Sequence, residues 1–361
     1  MFFNRADHPH TFLLADRPVA TRLVLISGLL LILLLAAITL SVANGSSNIP
    51  YGDVARILLQ GLGLPGMGEY PDSQVRIVIL IRLPRALVGA LVGAALAISG
   101  ATMQSIFRNP LADPGIIGVN AGSGLGAVIA LTTGLATGGL WILPIFAFAG
   151  GMTAALIVYT LSLVQGRTQV PTLLLAGVAL NSFLGAVTSA IMLLGADYGE
   201  VQAILTWLVG GLRGRGQPHL QVIALPILLG ILLLYAFSRD LNLLLLGEET
   251  AQGLGVNVPR TRFTLLLLAS LLTGTAVSIA GGIGFVGLIV PHALRLIIGP
   301  DYRVLLPASA LGGAVLLVLC DTVARLIIQP AEIQVGLITA MLGAPFFLFL
   351  LWRNRRQITA I

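Results

Sequence analysis

Apolar residues in this chain run in long stretches broken by short polar punctuation. The first is Leu23–Ala43, 21 residues long. A bilayer-spanning helix needs about 20 mostly apolar residues, whereas a signal-peptide core has about 7–15. The run therefore predicts a retained span. Similar runs occur near 84–107, 115–136, 140–164, 172–195, 219–237, 263–281, 283–298, 304–328 and 333–352. The pattern is that of an all-α polytopic membrane protein with about ten transmembrane helices. An even number of spans places both termini on one side.

Two segments between runs are long enough to matter. Asn44 to Ile81 is rich in turn formers (Gly61, Gly63, Pro65, Gly66, Gly68, Pro71), and Tyr51–Leu59 within it can form a short helix. Ser238 to Arg262 holds an apolar Leu243–Leu246, then a short helix over Gly247–Gly255. Glu248 and Glu249 suit its first turn, where carboxylates complement the helix dipole, and Gly255 suits its C-terminal cap. Pro259 is placed to open a second short helix. A helix–turn–helix and a plain connector both fit these residues.

Composition agrees with the pattern: 57% of the 361 residues are hydrophobic and 9% charged, against about 25% charged in soluble domains. All 20 basic residues are Arg. Without Lys there is no P-loop and no Schiff-base nucleophile. The single Cys320 and four His, with no HExxH, point to no metal centre, no intrachain disulfide and no catalytic residues. With the N-terminus inside, as Arg17 and Arg22 before the first span suggest, 13 Arg fall on inner segments and seven on outer ones. The acidic residues divide evenly, so the +6 net charge lies on the inner side, as the positive-inside rule expects. It calls for a lipid bilayer and no nucleic acid. The organisation is one transmembrane unit over 1–361, with an inner tail 1–22, an outer segment 44–81, the inner segment 238–262 and an inner tail 353–361.

The 43 Gly suit helices that approach closely in lipid. Gly122-Ser-Gly124-Leu-Gly126-Ala127 matches a dinucleotide fingerprint formally, but it lacks the preceding strand and following acid that the motif needs, so it is assigned to packing. Ionisable residues inside spans are the better pointers to function. Asp321 and Arg325, four apart, share a helix face near an outer end, with Glu332 beyond. They suit either a local ion pair or a docking site. His292, with Arg295 on the same span, suits a structural role. Asn181, Ser182, Thr188 and Ser189 give the fifth span a polar character that fits either a pathway or bonds to neighbouring helices. Spans carry no paired carboxylates for ion-coupled transport and no convergent catalytic groups. These absences argue against two rival classes, a secondary transporter and an intramembrane enzyme.

Several longer motifs occur in order: Arg82-Leu83-Pro84-Arg85, Val92-Gly93-Ala94 through Ser99-Gly100-Ala101-Thr102-Met103-Gln104, Asn109-Pro110-Leu111-Ala112-Asp113-Pro114-Gly115, Leu174-Leu175-Ala176-Gly177, Gly247-x-x-x-Ala251-x-x-Leu254-Gly255, Gly284-Phe285-Val286-Gly287 through Pro291-His292, Asp321-x-x-x-Arg325, and Gly343-Ala344-Pro345-Phe346-Phe347. Together they closely resemble the permease subunits of type II ABC importers, the FecCD/BtuC-type family that imports iron–siderophores, haem and vitamin B12, over roughly residues 20–353. The resemblance implies ten spans and a homodimer in the bacterial inner membrane, with a pathway along the dimer axis. The fifth and tenth helices would line it, with Asn181, Ser182, Thr188 and Thr339 as candidates. Two ATP-binding subunits would use ATP and Mg below, contacting Gly247, Glu248, Glu249, Ala251, Leu254 and Gly255, while this chain binds no cofactor itself. A substrate-binding protein would present carboxylates above to outward-facing Arg82, Arg85 and Arg325, with Asp321 orienting Arg325. The commonest cargo in the family is a ferric siderophore; haem and cobalamin are the alternatives.

Overall fold

In hydrocarbon every backbone polar group must find an internal partner, and a helix achieves this within one segment. The long runs accordingly form helices. A computed structural model describes residues 18–45, 49–61, 70–164 and 167–358. Arg5, Arg17, Gly63, Pro65, Gly66, Gly68 and the last three residues of the inner tail lie outside the described residues. The helices are α1 (Val19–Ala43), α2 (Tyr51–Gly61), α3 (Asp72–Arg76), α4 (Leu83–Ile106), α5 (Val119–Thr132), α6 (Ile142–Leu161), α7 (Val170–Gly195), α8 (Tyr198–Val209), α9 (Gln217–Ala236), α10 (Ser238–Leu245), α11 (Glu248–Gly253), α12 (Val258–Ala280), α13 (Val286–Ile298), α14 (Tyr302–Leu326) and α15 (Val335–Ile358). Among the described residues, seven helical stretches are long and apolar enough to cross a membrane. Three shorter apolar helices, at Val119–Thr132, Val286–Ile298 and Val335–Phe349, complete the ten expected positions.

Two local features depart from expectation. Pro259 does not open a separate short helix. It lies in the first turn of α12, which continues for 23 residues, because proline fits where the N–H has no intrahelical partner. The helical pair of the inner segment is therefore α10 and α11, with Gly247 between them. Gly255 lies just past α11 at φ +90°, the left-handed conformation that glycine adopts without a Cβ penalty. The second departure is α8, which apolar runs alone do not reveal. Asp197 accepts from the Glu200 N–H at 2.8 Å, and Glu200 accepts from the Asp197 N–H at 3.1 Å. This capping box was legible as Asp-x-x-Glu.

α4 is central, and α14, α12, α9 and α13 pack around it. Glycine permits these approaches. A Cβ at Gly93 would lie 2.2 Å from the Gly313 carbonyl oxygen on α14, and one at Gly100 would lie 1.9 Å from that of Gly287 on α13. A second group joins α5, α6 and α7, and Gly122 and Gly126 lie against α6 there. The fingerprint-like glycines thus serve helix packing. α3 runs into α4 through a π-helical stretch, Ile77–Arg82. Pro84 has no N–H and crowds the carbonyl four residues earlier. A wider turn just before it relieves that conflict and turns the flanking arginines toward α1 and α14.

Candidate functional site

At the end of α4 read as outer, Arg82, Arg85 and Arg325 converge, but they do not stand outward. Arg82 is buried and donates through Nη1 to the carbonyls of Val42 and Ala43 at 2.9 and 3.0 Å. Arg325 donates through Nε to Asp321 Oδ2 at 3.1 Å, through Nη1 to the Asn44 carbonyl at 3.0 Å, and through Nη2 to the Ser41 carbonyl and Oγ at 3.0 and 2.8 Å. Arg85 grips Asp321 with Nε and Nη2, at 3.1 and 2.9 Å, and Glu332 with Nη1 at 3.0 Å. The expectation of three outward-facing arginines is therefore corrected in geometry. α1 ends here and leaves its last carbonyls without helical partners; the planar, multi-donor guanidinium is suited to several such oxygens at once. Asp321 does orient Arg325, as its spacing suggests, and it binds Arg85 as well.

The opposite end holds α10 and α11 by a few long side chains. Arg108, just past α4, donates to the Leu244 carbonyl at 3.1 Å. Asn242 donates to Asp301 Oδ1 at 2.8 Å and accepts from the Tyr302 N–H at 2.9 Å, which joins α10 to the start of α14. Asp301 caps α14 and also binds the Arg303 side chain at 2.7 Å. Burial pushes its carboxyl upward, but the bonds from Arg303 and Asn242 outweigh this and hold it below the usual carboxylate range. Arg262, at the start of α12, pairs with Glu248 at 2.6 Å and donates to the Thr168 carbonyl at 3.1 Å. Thr168 belongs to a two-stranded hairpin, Leu163–Val164 with Arg167–Thr168, that precedes α7. The α10–α11 unit is thus tied to α4, α12, α14 and the approach to α7. Sequence reasoning missed Arg108, Asn242 and Asp301. Only Asp301, an acid just before an apolar run, carried a capping signal.

The residues of this segment divide. Ala251 is fully buried and anchors α11, Gly247 is half-buried at φ +118°, and Glu248, Glu249, Leu254 and Gly255 are exposed. Leu246 and Leu254 are 62% and 54% exposed, and Leu245 is exposed beside them. Glu248 and Glu249 lie between Leu246 and Leu254 in the chain and are exposed as well.

The candidate pathway residues also divide. Asn181 donates to the Gly115 carbonyl at 3.1 Å and fastens α7 to the Pro114–Ile117 turn. Thr188 is buried, and Thr339 is buried and donates to the Gly336 carbonyl at 3.1 Å. Asn181 and Thr339 thus spend a polar group on a backbone carbonyl, and Thr188 is enclosed by protein. Ser182 and Ser189 are exposed and bond back within α7. With Ala179 and Ala186 they form an open face of small residues. On α15, Gly343 lies against the ring of Phe285, whose φ of +68° is rare for a bulky residue. Among the described residues, no group of three or more His, Cys, Asp or Glu could hold a metal ion.

Comparison with known proteins agrees with this architecture. The FecCD transport family matches residues 32–353. The cobalamin import permease BtuC of Halobacterium salinarum is 48% identical over 81% of this chain and 77% of its own length. The hemin transport permease HmuU of Yersinia pestis is 43% identical over 79% of this chain and 86% of its own. A metal-chelate-type ABC transporter solved in an inward-facing conformation superposes with a TM-score of 0.80 at 32% identity, covering 91% of this chain and 99% of that one. With ten apolar helices in the expected places and a family match across nearly all of them, the chain belongs to the FecCD transport family, as a multi-pass permease subunit of a type II ABC importer.

Proposed function

We propose that this permease works as a dimer of two copies in the bacterial inner membrane, with both termini in the cytoplasm. Two ATP-binding subunits dock on α10–α11, and a substrate-binding protein docks at the other face. The observation that carries this reading is the α10–α11 unit, which exposes Leu245, Leu246 and Leu254, read together as an apolar patch, and the nearby Glu248 and Glu249, and which is tied by side chains to three spans and to the approach of a fourth. A push on this patch from ATP-driven closure of the partners reaches those helices together. The chain has no lysine for a nucleotide loop, so the energy comes from the partner. The open face of Ala179, Ser182, Ala186 and Ser189 suits the dimer axis, where small residues leave room for cargo. Arg85, the most exposed guanidinium of its cluster, is the docking candidate for a partner carboxylate. Arg82 and Arg325 hold α1 in place, so reversing their charge would test folding rather than docking.

The proposed cargo is a bulky metal chelate, a ferric siderophore in the first instance. Cobalamin is the second reading, favoured by the 48% identical relative with that name. The test is proteoliposome uptake by the permease assembled with its ATPase and binding protein. ATP-dependent uptake of ferric siderophore is expected, and L246E/L254E should abolish ATPase assembly while the permease still inserts. Preferred uptake of cobalamin or haem would replace the cargo. Uptake without ATP, collapsed by an ionophore, would overturn the importer reading.

A further inference from the structure

We infer that Glu332 is the exchangeable carboxylate ligand of Arg85: it holds the position that an acidic side chain of a docking protein takes over, and its release frees the entry to α15. The inference rests on the docking reading of Arg85 above and adds what that surface must give up when a partner arrives.

The two carboxylates on Arg85 are not equivalent. The Asp321 side chain is 2% exposed and is gripped by both Arg85 and Arg325. Pulling it away would strand two enclosed guanidiniums in a poorly solvated site, which is strongly unfavourable. The Glu332 side chain is 29% exposed, and Arg85 is its ion-pair partner among the described residues. It contacts the guanidinium only through Nη1, apart from the Nε and Nη2 donors that Asp321 takes. An arriving carboxylate can therefore replace Glu332 on that edge with the same charge-assisted geometry, while Asp321 keeps the other edge.

Placement gives the exchange a consequence. Glu332 lies in the turn between α14 and α15. Next to it, the Ile333 N–H donates to the Ala324 carbonyl at 3.1 Å, and the Gly336 N–H donates to the Gly210 carbonyl at 3.1 Å. The Gly211 N–H in turn bonds the Ala280 carbonyl at the end of α12 at 2.7 Å. Detaching Glu332 therefore loosens the α15 entry from α4 while its tie to α12 remains. A partner's carboxylate would be felt at a helix that reaches the other face.

The experiment uses the full permease–ATPase complex and has two arms. In the first, thermal unfolding is measured in sodium acetate against sodium chloride of equal ionic strength. E332A, which leaves the Arg85 edge open, should gain stability in acetate; wild type and E332Q, where a side chain fills the position, should not. No acetate-specific gain in E332A, or an equal gain in all three, overturns the exchange. In the second arm, the affinity of the purified binding protein of the same import system is measured. E332Q should tighten it about fivefold, on the scale of one partly exposed ion pair, and R85Q should weaken it. Weakening by R85Q without tightening by E332Q keeps the docking reading and overturns the exchange. No effect of R85Q overturns the docking reading itself.

Discussion

The two ends of the bundle use arginine in opposite ways. At the cluster read as outer, Arg82 and Arg325 are buried, and they donate to backbone carbonyls of the α1 terminus and, from Arg325, to Asp321. At the end read as inner, Arg108 reaches the Leu244 carbonyl of α10, and Arg262 joins Glu248 of α11 to the Thr168 carbonyl. The outer cluster fixes three helices to one another. The inner ties hold a short helical unit by a few defined side chains. Charge is scarce in this chain, and the difference shows that an arginine near a span end is a fastening first.

The contrast predicts its own failures. The largest effect belongs to D321A, which strands Arg85 and Arg325. Stability should fall by about 3–5 kcal/mol, read as thermal unfolding of the purified chain; wild-type stability would show that the outer cluster is no fastening. R262A comes next. It removes charged bonds to Glu248 and the Thr168 carbonyl, for a loss of about 1.5–3 kcal/mol. Transport-coupled ATP hydrolysis should fall further than this destabilisation explains, and unchanged coupling would detach α11 from the mechanism. N242A should cost about 1 kcal/mol and slow uptake at full ATPase assembly. Loss of assembly instead would make α10 a docking element rather than a lever.

The smallest effect is a pH dependence at Asp301. Its carboxyl is held below the usual range in the folded chain, so the ionised form contributes stability above the ordinary carboxylate pKa of about 3.9, and that contribution is lost as pH falls through the lower folded value. Wild type should exceed D301N at neutral pH, and the gap should close as pH falls below the ordinary carboxylate pKa of about 3.9. A gap that widens on acidification would reverse the role given to the α10–α14 tie.

Much of this was legible in the chain. The apolar runs anticipate all ten membrane helices, and Gly255 marks the end of α11 as its type suggests. The capping box of α8 was present but hidden between runs. Pro259 was misplaced because proline starts a long helix as readily as a short one, and the length of the apolar stretch beyond it decides which. The pathway candidates show a different limit. Asn181, Thr188 and Thr339 are polar residues in the right helices, yet each helix has several faces: Asn181 and Thr339 bond backbone carbonyls, and Thr188 is buried.

Linear pattern settled the class, the number of spans, the positions where helices pack through glycine and the absence of a nucleotide loop, because each derives from residue type and local period. Side-chain destinations could not be read that way. Asp321 meets Arg325 at four residues, which a helix dictates, but it meets Arg85 across 236 positions only because α4 and α14 pack side by side. Arg82 was equally able to face water or the end of α1. Packing decided, since the unpaired carbonyls of a helix terminus lay within its reach and lipid offered nothing better.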